Sequence, residues 1–235
     1  MAPSVVTAPH PEFEALGLLE FGAIPDGIAA GDAMAKRAPI RTLLAGTVHP
    51  GHYLVLVGGG VADVEEAMLA GRGAGGNSLL DEVYLPAVHF AVVAALFDRR
   101  AAGDVREAGQ DDAMLGDTSL GAATRRAPLH VAQGDALGIL ETRTVAAILA
   151  AADAGLKATP VALAELRLAD GLGGKGYLLF SGTVADVEAA LAAALGGIGD
   201  RAAMPLVRIV ARLHAEMEAN LTAGARFAQR IGGGG

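Results

Sequence analysis

The sequence predicts an α+β chain in which one β-α-β-β-α-β unit occurs twice. Three observations predict it. The chain has 235 residues, 52% of them hydrophobic, enough for one or two domains whose cores need no covalent staple. Ala15-Leu16-Gly17-Leu18-Leu19-Glu20 returns as Ala136-Leu137-Gly138-Ile139-Leu140-Glu141, and Ala29, Ala30, Asp32, Ala33, Lys36 and Pro39 return at the same offset as Ala150, Ala151, Asp153, Ala154, Lys157 and Pro160. The register then slips by two. Gly51 matches Gly174, Gly59 matches Gly182, and Val61-Ala62-Asp63-Val64-Glu65 matches Val184-Ala185-Asp186-Val187-Glu188. The two extra residues fall between Val48/Ala169 and Gly51/Gly174, and a length change of this kind marks a loop. Five consecutive identities that include Asp and Glu, in step with a second block, do not arise from an Ala-rich composition alone.

Each copy reads in order. Residues 16–21 and 137–142 are short apolar runs ending near a Glu, as in a buried strand. Residues 24–37 and 145–157 carry helix-spaced apolar positions, with Asp32 and Asp153 four residues before Lys36 and Lys157. Both read as exposed helices, stopped by Pro39 and Pro160. Second strands follow at 41–48 and 161–168, and third strands at 53–57 and 177–180, entered through Gly-containing turns. Helices at 61–71 and 184–195 come next, the latter led by a Thr183 and Asp186 capping pattern. Fourth strands are expected at 83–85 and 206–210, and closing helices at 89–97 and 213–230. This is the ferredoxin-like order of elements. The expected organisation is a Pro-rich flexible tail at 1–14, a first domain at 15–98, a linker at 99–134, a second domain at 135–221, and a helix end with a Gly tail at 222–235. One short ordered piece is expected in the linker near 129–131.

Composition excludes several function classes. With no Cys there is no disulfide framework, thiolate metal site, iron–sulfur cluster or Cys nucleophile. A net charge of −8, with Lys and Arg scarce and scattered, argues against nucleic acid as a partner. The mean hydropathy of +0.42 comes largely from Ala. The apolar stretches, such as 90–97, fall far short of the ~18–20 residues that span a bilayer, so no membrane partner is expected. The N-terminus lacks the basic and apolar regions of a signal peptide. The surplus of small apolar residues points to surface buried against other chains.

Several motifs invite chemistry. Residues 171–176 fit G-x-G-x-x-G, but strand-like residues follow where a dinucleotide site needs a helix, so a tight β-β turn is the simpler reading. Gly58-Gly59-Gly60 does lead into a helix, without the Lys-Ser/Thr of a P-loop, and reads as turn punctuation. His49-Pro50-Gly51-His52 offers two imidazoles on a loop with no acidic neighbour in sequence. A solvated turn is the plain alternative to a metal pair. No Ser lies in a G-x-S-x-G elbow. Glu20 and Glu141 read as paired carboxylates or, more simply, as fold determinants. Lys36 and Lys157 read as solvated helix-end cations or as interface residues.

The block 136–143, the block 150–158, the Gly-rich turn before Tyr177 and the block 182–187 together resemble the bacterial microcompartment (BMC) shell domain. The first copy joins the resemblance through the repeat, and the elements run unpermuted in both copies. The resemblance implies two tandem ferredoxin-like (BMC-type) domains, each with a closing helix. It implies a homotrimer that forms a flat pseudohexameric tile in a microcompartment shell in the cytoplasm, beside hexameric and pentameric tiles. It implies no enzyme activity and no cofactor or metal. Some family members hold an iron–sulfur cluster through Cys, a role closed to this chain. The family's pore turn falls on His49, Pro50 and Gly51 in the first copy and on Leu172, Gly173 and Gly174 in the second. The tile-edge Lys falls on Lys36 and Lys157. The edge Arg falls on Arg212, with His214 two residues on; in the first copy Ala87 stands in place of that Arg, with His89 beyond it. Three His49 rings at a pore mouth would favour small anionic metabolites when protonated. Two other readings compete: a tandem α/β ligand-binding or sensor module, and an enzyme using His49 and His52 with a metal.

Overall fold

The computed structural model describes residues 13–97, 135–199 and 204–222. Residues 1–12 of the expected tail, the linker with its ordered piece, and the helix beyond 222 lie outside the described residues.

The first copy runs β1 (Ala15–Phe21), α1 (Ile24–Arg37), β2 (Thr42–Val48), β3 (His52–Gly59), α2 (Val61–Ala74), β4 (Leu79–Pro86) and α3 (Phe90–Phe97). The second runs β5 (Ala136–Thr142), α4 (Val145–Ala158), β6 (Ala162–Leu168), β7 (Gly176–Gly182), α5 (Val184–Ile198), β8 (Leu206–Val210) and α6 (Ala215–Thr222). Each copy is a four-stranded antiparallel sheet, ordered β2-β3-β1-β4 and β6-β7-β5-β8. β4 is longer than the expected 83–85 because it pairs along the whole of β1. α6 begins at Ala215, two residues later than expected.

Alternation along the strands sorts the residues into two faces. Ala15, Leu19 and Phe21 of β1 pack with Ala30 and Met34 of α1 and with Val64, Ala67 and Met68 of α2. Gly17 lies under α2, where a Cβ would stand 2.6 Å from Met68 Sδ; its counterpart Gly138 lies likewise under Val187 at 2.7 Å. The repeated glycine lets a helix rest directly on the strand.

The other face of the first sheet is covered by the second copy. Leu16, Leu18, Leu54, Leu56, Val83 and Leu85 share one continuous core with α3 and with α4. Burial on both sides corrects the reading of α4 as an exposed helix. All but three of its residues are buried, Val145, Ala146 and Leu149 among them, because β4 and α3 of the first copy close over the side that α1 leaves open. α1 buries only Gly27, Ala30, Gly31 and Met34. Ile24 is 39% exposed and Ile28 54% exposed. Among the described residues no helix is long and apolar enough to cross a membrane.

Candidate functional site

The two turns that sequence reasoning singled out lie against each other. In the first, Gly51 takes φ +111 and its N–H donates to the Val48 carbonyl at 2.8 Å. In the second, Gly171, Gly173 and Gly174 take φ of +71, +66 and +85, the left-handed region that favours glycine. The Leu172 N–H donates to the Ala169 carbonyl at 2.9 Å, and the Ala169 N–H donates to the Lys175 carbonyl, closing the loop at its base. These bonds use the G-x-G-x-x-G residues as a β-β turn, with Gly176 opening β7. A Cβ on Gly174 would stand 2.9 Å from Pro50 Cδ and 3.6 Å from His52 Cε1. His49, Pro50, Gly51 and Gly173 are exposed, Leu172 is half-buried, and Gly174 is buried beneath the first turn.

A basic residue stands over a β-strand carboxylate beside each turn. His52 Nδ1 lies 3.0 Å from one carboxylate oxygen of Glu20. The other oxygen accepts the Val145 N–H at 2.8 Å, at the start of α4. In the second copy Lys175 Nζ donates to one oxygen of Glu141 at 2.8 Å. His52 and Lys175 are counterparts in the repeat, as are Glu20 and Glu141. His52 has no acidic neighbour in sequence, and the pairing of β1 with β3 supplies one by bringing Glu20 alongside it. Burial pushes the Glu20 carboxyl above the ordinary carboxylate range. The Val145 N–H and His52 oppose the shift, and Asp81 adds to it. Glu20 is therefore a helix cap that welds the two copies together, a role invisible without long-range pairing.

The far end of the same seam holds one of the predicted basic residues, Lys157. Lys157 Nζ donates to Asp153 at 2.6 Å and reaches the Pro86 carbonyl of the first copy at 3.4 Å. The second Asp153 oxygen accepts the His89 N–H at 2.8 Å. Lys36 pairs with Asp32 in the same i,i+4 way, on open surface. Arg212 and His214 are exposed. His214 Nδ1 accepts the Glu216 N–H, as His89 Nδ1 accepts the Ala91 N–H. Both rings thus cap the closing helices, a job the sequence reading did not give them. Burial lowers the His89 pKa; Asp153 counteracts this and Lys157 reinforces it. A crevice of about 640 Å³ opens here between His89, Phe90 and Lys157.

The remaining motifs resolve into structure. A Cβ on Gly60 would meet the Asp63 carboxylate at 3.3 Å, so the N-terminus of α2 faces its own acid. Thr183 Oγ1 accepts the Asp186 N–H at 3.2 Å and donates to the Asp186 carboxylate at 2.7 Å, the expected cap. Among the described residues no group of three or more His, Asp or Glu is placed to hold a metal ion.

The chain is similar to known proteins along most of its length. The BMC domain profile matches residues 15–88 and 136–205. The chain is 32% identical over 204 residues to the bacterial microcompartment shell protein PduT of Citrobacter freundii, covering 87% of this chain and 95% of that protein. It is similar to the crystal structure of a microcompartment protein from Desulfitobacterium hafniense, at 32% identity and a TM-score of 0.64, covering 88% of this chain and 99% of that one.

Proposed function

This chain belongs to the BMC domain family, and from that premise we propose that three copies of it close into a pseudohexameric tile of a bacterial microcompartment shell, with a pore on the threefold axis. One observation carries the reading: at one end of the seam the two copies bring their equivalent turns into contact. The seam is heterologous, joining one surface of the first copy to a different surface of the second. A heterologous contact repeated between chains builds a ring when its rotation closes. Three chains then gather six turns at the axis. His49, Pro50 and Gly51 alternate there with Leu172, Gly173 and Gly174.

Backbone N–H groups in such glycine turns form shallow anion-favouring concavities. Width, charge and the cost of dehydration select what passes. The permeant class is small polar metabolites, anions among them, and the chain performs no catalytic step of its own. The family's edge positions, Lys36, Lys157, Arg212 and His214, form the rim that meets hexameric and pentameric neighbours. The tile works in the shell, in the cytoplasm.

Mass measurement in solution tests the assembly. The expected species is three times the 23.5 kDa chain. A stable monomer at micromolar concentration overturns the tile. Flux of a small anionic probe through reconstituted shells tests the pore. His49→Ala is expected to lower that flux, and an unchanged flux at every pH removes His49 from the pore.

A further inference from the structure

The contacts that hold α4 are a template for contacts that α1 lacks. α4 is fixed at both ends by the first copy. At its start, Glu20 accepts the Val145 N–H with one oxygen while the other faces His52. Near its end, Asp153 accepts the His89 N–H with one oxygen while the other holds Lys157.

The repeat supplies every counterpart. Ile24 stands for Val145, Glu141 for Glu20, Asp32 for Asp153, and His214 for His89. Glu141 spends one oxygen on Lys175, and among the described residues nothing donates to the other. Asp32 spends one oxygen on Lys36, with the same remainder. α1 has Ala23 at its N-cap and no side-chain cap, whereas α4 has Thr144 as well as Glu20. The faces between the two ends also correspond. Val145 is 0% and Leu149 1% exposed under β4 and α3, while Ile24 and Ile28 lie open at 39% and 54%. β8, the counterpart of β4, presents Leu206 at 62% on the same face as Glu141.

We infer that a second copy of this chain covers α1 and clamps it at both ends. Glu141 of the neighbouring copy accepts the Ile24 N–H, and Asp32 accepts the His214 N–H of that same neighbour. Ile24 and Ile28 pack beneath β8 and α6 of the neighbour, as Val145 and Leu149 pack beneath β4 and α3. The α1 start is thus capped in trans, and Glu141 becomes an interface residue as well as the partner of Lys175. A carboxylate at a helix start is favoured by the orphan N–H groups and by the helix dipole together. This inference rests on the tile reading and assigns the atoms that close it.

Sedimentation equilibrium on the full chain, with circular dichroism to confirm folding, compares wild type with Glu141→Ala, Asp32→Ala and Lys175→Ala. Glu141→Ala and Asp32→Ala are expected to raise the trimer dissociation constant at least about tenfold, since each removes a charge-assisted bond from every interface. Lys175→Ala, which breaks the Glu141 ion pair but leaves the cap, is expected to stay within about twofold. Hydrogen exchange over residues 22–28 is expected to quicken in Glu141→Ala and not in Lys175→Ala. Asp32 lies on an exposed helix surface, so its loss leaves the fold of each copy intact. A wild type that trimerises while neither carboxylate variant weakens it overturns the clamp and leaves the tile standing. Equal weakening by Lys175→Ala also overturns the clamp. A wild type that never associates overturns the tile itself, and the clamp with it.

Discussion

α1 and α4 have the same length and descend from the same stretch of repeat, yet one is half open and the other is enclosed. The difference is not intrinsic to the helices. Both carry an apolar face toward their own sheet and a second apolar face on the far side: Ile24 and Ile28 in one, Val145 and Leu149 in the other. Among the described residues, only α4 finds a cover for its second face. A helix apolar on two sides belongs in a buried setting, so α1 displays among the described residues the surface that the proposed clamp covers.

Truncation on the two helices separates their roles most sharply. Leu149→Ala is expected to cost about 2–5 kcal/mol in urea unfolding, because it opens a cavity in a core shared by both copies. Ile28→Ala is expected to cost under about 0.5 kcal/mol in dilute monomer and to act on association instead. Equal losses at the two positions in dilute monomer would mean that α1 is covered within its own chain.

A second contrast lies on the sheet faces opposite each copy's own two long helices, α1 and α2 in the first and α4 and α5 in the second. The first copy places Leu44, Gly46 and Leu54 there. The second places Glu165, Arg167 and Tyr177, with a register shift in β6 between Leu163 and Glu165 that the first copy lacks. Arg167 lies over the Tyr177 ring at 5.8 Å, and burial, with Glu165 beside it, pushes the Tyr177 hydroxyl up so that it stays protonated. One Glu165 oxygen is buried without a hydrogen bond. Glu165→Leu, the residue of the first copy, is expected to raise stability by about 1 kcal/mol, since a buried unsatisfied carboxylate oxygen costs more than an apolar group in its place. A loss of stability would show that Glu165 has a compensating partner.

The repeat made the fold legible. Matching blocks gave two copies of one element order, and Gly and Pro punctuated them where the chain turns. The turns were legible too, since two residues inserted between matched strands mark a loop. Less was legible at the seam. Glu20 reads as one more strand residue until β1 pairs with β3 and brings His52 beside it, and until α4 arrives from more than a hundred residues away. The burial of α4 was hidden for the same reason: periodicity reports an apolar face, not what covers it. The repeat did carry a usable signal. Aligning the copies sets His52 on Lys175 and Glu20 on Glu141, so a basic residue and a carboxylate recur together. The Glu165 register shift left no trace, because it changes which residues pair without changing the length between the matched Pro39/Pro160 and Val48/Ala169.

The smallest expected effect concerns the caps of the two closing helices. His89 and His214 hold equivalent positions, and each accepts a backbone N–H through Nδ1. An Nδ1 that accepts must be unprotonated. Burial lowers the His89 pKa below its ordinary 6.5, with Asp153 and Lys157 the charged groups that face it. Below that ordinary value the unfolded chain takes up a proton that the folded chain refuses. The His89 contribution is therefore complete above about pH 6.5 and is lost as pH falls through 6.5 toward the lowered folded value. Glu20, whose pKa is raised, acts with the opposite sign: its contribution is complete below its ordinary 4.5 and is lost as pH rises through the raised value. A single stability curve mixes the two. His89→Asn keeps a side-chain oxygen able to cap α3 and removes the titration. The difference in stability between wild type and His89→Asn isolates the histidine, because Glu20 is common to both. That difference is expected to shift against the wild type between pH 7.5 and 5.5 by less than either substitution above. A flat difference would mean that α3 does not depend on the imidazole for its cap.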